Sequence, residues 1–133
     1  MIVGNGIIAK QFDSYKNNQN IVIFASGVSN SLEENFKSFE REESLLKKTI
    51  SENKSATYVY FSTCSIMDQS VNQSKYVIHK LKMEFIVQAK ASNFYVFRLP
   101  QVVGYGNNSI FINFLFNSVI KKRTIDNNNA KLF

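Results

Sequence analysis

Four short runs of β-branched and aromatic residues alternate with longer segments of helical character, and this alternation constrains the fold more than any other feature of the chain. The runs are Met1 to Val3, Ile21 to Ala25, Tyr58 to Phe61 and Tyr95 to Leu99. The helical candidates are about Ile7 to Tyr15, Glu33 to Ser51, Ser74 to Ala91 and Ile110 to Lys122. Such alternation is typical of βα units around a parallel sheet, so we predict an α/β fold.

The length of 133 residues and the 44% of apolar residues suit one packed domain. We assign residues 1–122 to that domain and 123–133 to a tail or to the start of an incomplete substrate-binding region. In the second helix, Ser31 is the expected N-cap. The last predicted helix is apolar on nearly every side, which indicates that a partner subunit or an absent part of the chain covers it.

The net charge of +6 is spread along the chain, with a compact run only at Lys121-Lys122-Arg123. A diffuse positive field attracts phosphates of any kind. Because neither an RNP-like aromatic motif nor a helix-turn-helix pattern occurs, we favour a phosphorylated small ligand over a nucleic acid.

Three observations indicate a cytoplasmic protein without a membrane span. Cys64 is the single cysteine and cannot form an internal disulfide. No signal peptide precedes the first strand. The apolar stretch from Ile110 to Ile120 is interrupted by polar residues and is far shorter than a bilayer-spanning helix.

A glycine-rich turn, Gly4-Asn5-Gly6-Ile7-Ile8-Ala9, follows the first strand and opens the first helix. In this GxGxxA pattern the first glycine permits the tight turn, the second lets the backbone approach a pyrophosphate, and Ala9 allows close packing of helix on strand. The helix N-terminus presents N–H groups to the anion. A plain tight turn between strand and helix is the alternative.

Thirteen residues after Thr63, Tyr76 begins a YxxxK pattern that ends at Lys80. Residues four apart lie on one face of a helix, and a nearby ammonium lowers the pKa of a phenol, as proton transfer requires. Thr63, at the carboxyl end of a parallel strand, would lie at the edge where α/β sheets bind ligands. The alternative is an amphipathic Tyr76 and Lys80 pair on a solvated helix face.

Together these motifs resemble the short-chain dehydrogenase/reductase superfamily, and within it the extended group of nucleotide-sugar epimerases, dehydratases and reductases. The resemblance runs in family order over nearly the whole chain. Its parts are Gly4 to Ala9, Ile23 to Gly27, Phe61 to Ser65, Tyr76 to Lys80, and Phe97 to Gly104, which is similar to the family's RxxxVxG segment.

The resemblance implies a Rossmann-like three-layer fold with a reduced, mostly parallel sheet, bound NAD or NADP, a nucleotide-sugar or related substrate, and a homodimer. It implies Tyr76 as the catalytic acid or base, Lys80 as the residue that holds the nicotinamide ribose and lowers the Tyr76 pKa, and Thr63 as the residue that positions the substrate oxygen, with Ser62 as the fallback. The expected cofactor contacts are Gly4, Asn5, Gly6, Ile7, Ile8, Ala25, Ser26, Gly27, Ser62, Tyr76, Lys80, Pro100 and Val102.

The chain also departs from the family. Between Gly6 and Ile21 the family normally has two further βα units, and the acidic residue that reads the adenine ribose has no counterpart here. A right-handed crossover directly from the first strand to its neighbour would move the first helix to the other face of the sheet, which strains the topology. Only about 30 residues remain for a substrate-binding region after Val103.

Two alternatives to an active enzyme therefore remain open: a non-catalytic nucleotide-binding or interaction module, and a fragment of a longer enzyme. His79 points away from the Tyr76 and Lys80 face at helical spacing, so we expect a surface or interface residue. We interpret Cys64 as a small structural residue, and we propose no metal site because no cluster of metal-type ligands accompanies it.

Overall fold

The computed structural model describes residues 1–100 and 102. Its sheet has four parallel strands in the order β1-β2-β3-β4, and these are Ile2–Val3, Ile21–Phe24, Thr57–Thr63 and Asn93–Leu99. The helices of this part are α1 (Ile7–Lys10), α2 (Phe36–Glu52) and α3 (Lys75–Lys90), with 3₁₀ turns at Asp13–Tyr15 and Cys64–Met67. The predicted α/β class with a parallel sheet is confirmed. The predicted helix at Ile110 to Lys122 and the tail at 123–133 lie outside the described residues.

The main core lies between one face of the sheet and the two long helices. Because strand side chains alternate, Phe24 of β2 and Tyr60 of β3 point to the same face, where they meet Leu46 of α2 and Met83 of α3. Burying each such side chain stabilises the fold by about 1.5–3 kcal/mol. The Tyr60 hydroxyl is buried here and donates to Glu42 Oε1 at 2.7 Å, which brings a carboxylate into the core.

The segment after β1 lies on the opposite face of the sheet. The helix predicted from Ile7 to Tyr15 ends at Lys10, and Phe12 leaves it to pack its ring 5.7 Å from that of Phe61, whose side chain points away from α2 and α3. When parallel strands lie side by side in the order of the chain, right-handed crossovers place all the connecting helices on one face of the sheet. One of these three crossovers therefore differs in hand from the other two, so the structure does not have the right-handed first crossover on which the sequence argument about the first helix was based.

Polar caps fix the starts of the long helices and so the direction in which each one crosses the sheet. The predicted cap at Ser31 is wrong, because α2 begins one turn later, where the Asn35 side chain accepts from the Lys37 amide at 3.0 Å. In α3 the Ser74 hydroxyl accepts from the Val77 amide. The cap at Ser74 places Tyr76 in the first turn of α3, next to the carboxyl end of β3.

Candidate functional site

The glycine turn after β1 packs directly against the chain that leaves β2. Gly4 has a φ of 125°, and a Cβ there would lie 2.4 Å from the Ala25 carbonyl oxygen, so no other residue fits without displacing the backbone. A Cβ at Gly6, by contrast, would meet nothing within 4 Å. The turn thus has the tight first glycine and the open second glycine that a pyrophosphate site requires.

The other predicted cofactor contacts in this region surround the same turn. Asn5 is exposed, Ile7 and Ile8 are half-buried, and Ala9 is buried against the sheet. Ser26 is tied to α2, because Arg41 donates to its carbonyl oxygen at 2.9 Å and to its hydroxyl at 3.2 Å. These contacts fix the strand-end segment, Ala25 to Gly27, which follows β2 and lies beside the glycine turn.

Thr63 and Tyr76 meet at the carboxyl edge of the sheet, as the sequence predicts. Thr63 ends β3 and caps the following 3₁₀ turn, since its hydroxyl accepts from the Ser65 amide at 3.1 Å and donates to Ser65 Oγ at 3.0 Å. The same hydroxyl lies beside the Tyr76 phenol and acts to lower its pKa. A hydroxyl and a phenol at one strand end can together hold one oxygen atom of a ligand once the Thr63 hydroxyl turns its single proton from Ser65 Oγ to that oxygen.

The pKa of Tyr76 is nevertheless raised above its ordinary value of 10.0. Burial is the largest cause, and the negative charge of Glu42 adds to it, which together outweigh the contact with Thr63. Lys80, which the resemblance implies as the group that lowers this pKa, is not among the causes of the shift. The reason lies in what the Lys80 ammonium binds.

Lys80 lies on the same face of α3 as Tyr76 but its ammonium is bonded elsewhere. Its Nζ lies 3.1 Å from Glu42 Oε1 and 3.3 Å from the Tyr60 hydroxyl, and 5.9 Å from the centre of the Tyr76 ring. The residue is only 3% exposed. Burial lowers the pKa of Lys80, although Glu42 opposes that change. An ammonium has three N–H donors, so one remains for a further acceptor.

Glu42 is the centre of this arrangement, and the sequence reasoning missed it. Its carboxylate is fully buried and accepts from the Val28 amide at 2.7 Å, Tyr60 at 2.7 Å, His79 at 3.0 Å and Lys80 at 3.1 Å. Burial alone would raise the pKa of Glu42, but these donors and the Lys80 charge lower it to about 2. The available signal was its position on the apolar stripe of α2 between Phe39 and Leu46.

His79 is buried rather than at the surface, so that prediction is wrong. It is 6% exposed, its Nε2 lies 3.0 Å from Glu42 Oε2, and its ring centre lies 4.6 Å from that of Phe39. The sequence argument assumed that α3 buries a single face. Because α3 packs against both the sheet and α2, the side next to the Tyr76 and Lys80 face is also covered.

Gly27 connects the strand-end segment to the buried charges. A Cβ on Gly27 would lie 2.6 Å from Lys80 Nζ and 2.9 Å from Glu42 Oε1. The absence of a side chain thus leaves the ammonium next to the backbone of a segment predicted to line the cofactor. The structure brings together Gly4, Ala25 to Gly27, Thr63, Tyr76 and Lys80.

The remaining predicted contacts lie around a second ion pair. Ser62 is buried near Glu84, and its hydroxyl makes no hydrogen bond of regular geometry among the described residues. Burial acts to raise the Glu84 pKa, but Arg98 and the nearby Ser62 hydroxyl lower it. Arg98 donates to both Glu84 oxygens, at 3.0 and 2.8 Å. Pro100 is exposed and Val102 is half-buried, whereas Val103 and Gly104 lie outside the described residues.

The same part of the chain has neither a metal cluster nor a membrane-spanning helix. Residues 1–100 and 102 contain no group of three or more His, Cys, Asp or Glu side chains that could hold a metal ion. No helix of that part combines the length and apolar character needed to cross a membrane. A cavity of about 820 Å³ lies at the amino ends of the strands, next to Met1, Asn18 and Asn53, on the opposite edge from Tyr76.

Comparison of the chain with protein-family models, curated proteins and solved structures finds no match.

Proposed function

We propose that this protein is an NAD(P)-dependent oxidoreductase or epimerase/dehydratase-like protein with a Rossmann-like domain of the short-chain dehydrogenase/reductase type. Its substrate is a nucleotide sugar or a related molecule with a carbonyl or hydroxyl group. The observation that carries the proposal is the placement of Thr63 at the carboxyl end of a parallel strand, β3, and of Tyr76 in the first turn of α3, the helix that packs on that strand. Ligands of open α/β sheets bind at this edge.

The residues at this edge suit a nicotinamide dinucleotide. The backbone around Gly6 is open to a pyrophosphate, while Gly4 keeps the turn close to Ala25. The N-terminus of α1 adds little, because a helix of four residues offers only a small dipole. Lys80 keeps one donor for a ribose hydroxyl.

The chemistry divides between the cofactor and the protein. When bound, the nicotinamide supplies or accepts a hydride. Thr63 holds the substrate oxygen, and Tyr76 gives that oxygen a proton during reduction or takes one during oxidation. Burial of Tyr76 excludes water from the proton-transfer step.

Titration with NADH and with NADPH, followed by nicotinamide fluorescence, tests cofactor binding. We expect saturable binding of at least one of them, and binding of neither at millimolar concentration would reject the proposal. Absorbance at the nicotinamide band with UDP-, GDP- and dTDP-sugars then tests net oxidation or reduction, and chromatography of the same sugars tests epimerisation or dehydration, which leave the nicotinamide unchanged. Tyr76→Phe should keep cofactor binding and abolish turnover.

A non-catalytic interaction module is the second candidate, and the exposure of aromatic side chains on β4 favours it. Tyr95 is 61% exposed and Phe97 is 49% exposed, and their rings stack with centres 6.4 Å apart. Apolar surface of this kind often marks a protein contact. Light scattering over a range of concentrations separates the candidates, because a clean monomer that binds NADH and turns over substrate would leave this surface without that role.

A further inference from the structure

We propose that Arg41 of α2 binds the pyrophosphate of the dinucleotide and supplies the positive charge that the short helix after the glycine turn lacks. This inference rests on the proposed function and deepens it, because it adds a phosphate-binding side chain that belongs to none of the sequence motifs. The glycine pattern indicates where a pyrophosphate would lie, but not which side chain neutralises it.

The first step of the argument is the position of the Arg41 guanidinium at the carboxyl end of β2. Its Nη2 donates to the Ser26 carbonyl oxygen at 2.9 Å, and its Nη1 donates to the Ser26 hydroxyl at 3.2 Å. Ser26 lies against the glycine turn, since a Cβ on Gly4 would lie 3.0 Å from the Ser26 nitrogen. Ser26 therefore holds the guanidinium next to the turn that is expected to receive the pyrophosphate.

The second step is that no carboxylate neutralises Arg41 within the described part of the chain. None of the ion pairs among residues 1–100 and 102 includes it, and its side chain is exposed. Arg41 lies close enough to Lys80 for its charge to act to lower the Lys80 pKa. Because Glu42 already binds Lys80, the charge of Arg41 remains for an anion at this edge of the sheet.

The third step is the hydrogen-bonding capacity of the guanidinium. It has five N–H groups in a planar fork, and the contacts with Ser26 use two of them, so three remain. Arg41 makes no other hydrogen bond to a described residue. Two N–H groups are enough for the paired contact that a guanidinium makes with phosphate oxygens.

The fourth step is the shortness of α1, the helix that the glycine turn opens. In a longer helix the partial positive charge of the N-terminus stabilises a bound phosphate, but α1 has only four residues. A pyrophosphate at this turn therefore needs a positive side chain. Ser26 holds Arg41 in place before a ligand arrives, so little side-chain entropy is lost on binding.

The experiment measures NADH binding by nicotinamide fluorescence at several salt concentrations. Arg41→Met should raise the dissociation constant about 10- to 100-fold, which is the effect of losing charge-assisted hydrogen bonds. The dependence of that constant on salt should become shallower, because one fewer charge acts on the ligand. Arg41→Lys retains the charge without the planar fork, so it should keep the salt dependence and recover only part of the affinity.

Lys48→Met is the matched control, because it removes one positive charge from the same helix at an exposed position. Lys48 lies near the end of α2 that borders the cavity at the amino ends of the strands, so NADH binding should stay within about twofold of wild type. An equal loss of affinity in Lys48→Met and Arg41→Met would reduce the effect to net charge and overturn the proposal. Weaker binding in Arg41→Met with an unchanged salt dependence would also overturn it, since that result indicates that Arg41 only holds Ser26 in place.

Inorganic pyrophosphate, titrated into ¹⁵N-labelled protein, separates this inference from the proposed function. The amide signals of Gly4 to Ala9 and of Ser26 should shift in wild type and in Arg41→Lys, and should shift much less in Arg41→Met. Such shifts in a protein that binds neither NADH nor NADPH would reject the proposed function and keep Arg41 as a diphosphate-binding residue. NADH binding of equal affinity in wild type and Arg41→Met would keep the proposed function and overturn the role of Arg41.

Discussion

The Lys80 ammonium and the Glu42 carboxylate lie 3.1 Å apart in the core, joined across 38 residues of sequence from two neighbouring helices. Lys80 belongs to the YxxxK pattern, whereas Glu42 belongs to none. The pair therefore links the candidate site to the stability of the fold. Its geometry leads to predictions for stability, for pH dependence and for the glycine turn.

Glu42→Ala should destabilise the protein by about 3–5 kcal/mol, because it leaves the buried Lys80 charge without a partner. Glu43→Ala should cost at most about 1 kcal/mol, since its ion pairs with Lys47 and Lys82 are at the surface. Urea unfolding at pH 7 measures both free energies. Equal losses in the two variants would show that the Glu42 network does not stabilise the core.

Stability should also fall in acid because of Glu42. Its pKa is about 2 in the folded protein against 4.5 as the ordinary value, so its contribution is complete above pH 4.5 and is lost as the pH falls toward 2. The size of this contribution is about 3 kcal/mol. Between pH 6 and pH 2.5 the unfolding free energy should depend steeply on pH in the wild type. The same steep dependence is expected for Glu40→Gln, a control variant at an exposed position. The dependence should be weaker in Glu42→Gln, and parallel curves for all three proteins would contradict the assignment.

The two glycines of the turn should respond differently to alanine. Gly4→Ala forces a Cβ against the Ala25 carbonyl in a backbone conformation that suits glycine, so we expect a loss of more than about 1 kcal/mol. Gly6→Ala has free space and an extended backbone, and its unfolding free energy should stay within about 0.5 kcal/mol of wild type. Gly6→Ala should nevertheless weaken NADH binding if the backbone approaches a pyrophosphate. Intact binding in that variant would argue for a plain tight turn.

Arg98→Met should destabilise the junction of α3 and β4 by about 1–3 kcal/mol, because Glu84 is buried and would lose both charge-assisted hydrogen bonds. Arg98→Lys should recover only part of the loss, since an ammonium cannot bind both oxygens in the planar geometry of a guanidinium. The melting temperatures from thermal unfolding should fall in the order wild type, Arg98→Lys, Arg98→Met. A melting temperature of Arg98→Lys equal to that of wild type would show that the paired hydrogen bonds from Arg98 to Glu84 add no stability beyond that of a single ion pair.

The sequence predicted those parts of the fold that depend on local pattern. The four β-rich runs are strands, and the spacing of Tyr76 and Lys80 does place them on one face of α3. The early end of α1 was not predictable in the same way, because the contact between Phe12 and Phe61 joins residues far apart in sequence.

The electrostatics of the site escaped prediction for a similar reason. A glutamate among charged residues such as Arg41 and Glu43 is usually solvated, and its burial follows from donors on three other segments of the chain. Burial is the main cause of the raised Tyr76 pKa, and that carboxylate adds to it. A motif of two residues therefore indicates where a proton can move but not which protonation state is favoured.

The most direct test of the proposed dinucleotide site is an NMR titration of ¹⁵N-labelled protein with NADH. The account predicts that amide signals of Gly4 to Ala9, Ala25 to Gly27 and Tyr76 shift together and fit one dissociation constant. The cavity at the opposite edge of the sheet, near Asn18 and Asn53, provides an internal control and should not respond. Shifts confined to that cavity, or no shifts up to millimolar NADH, would contradict the account.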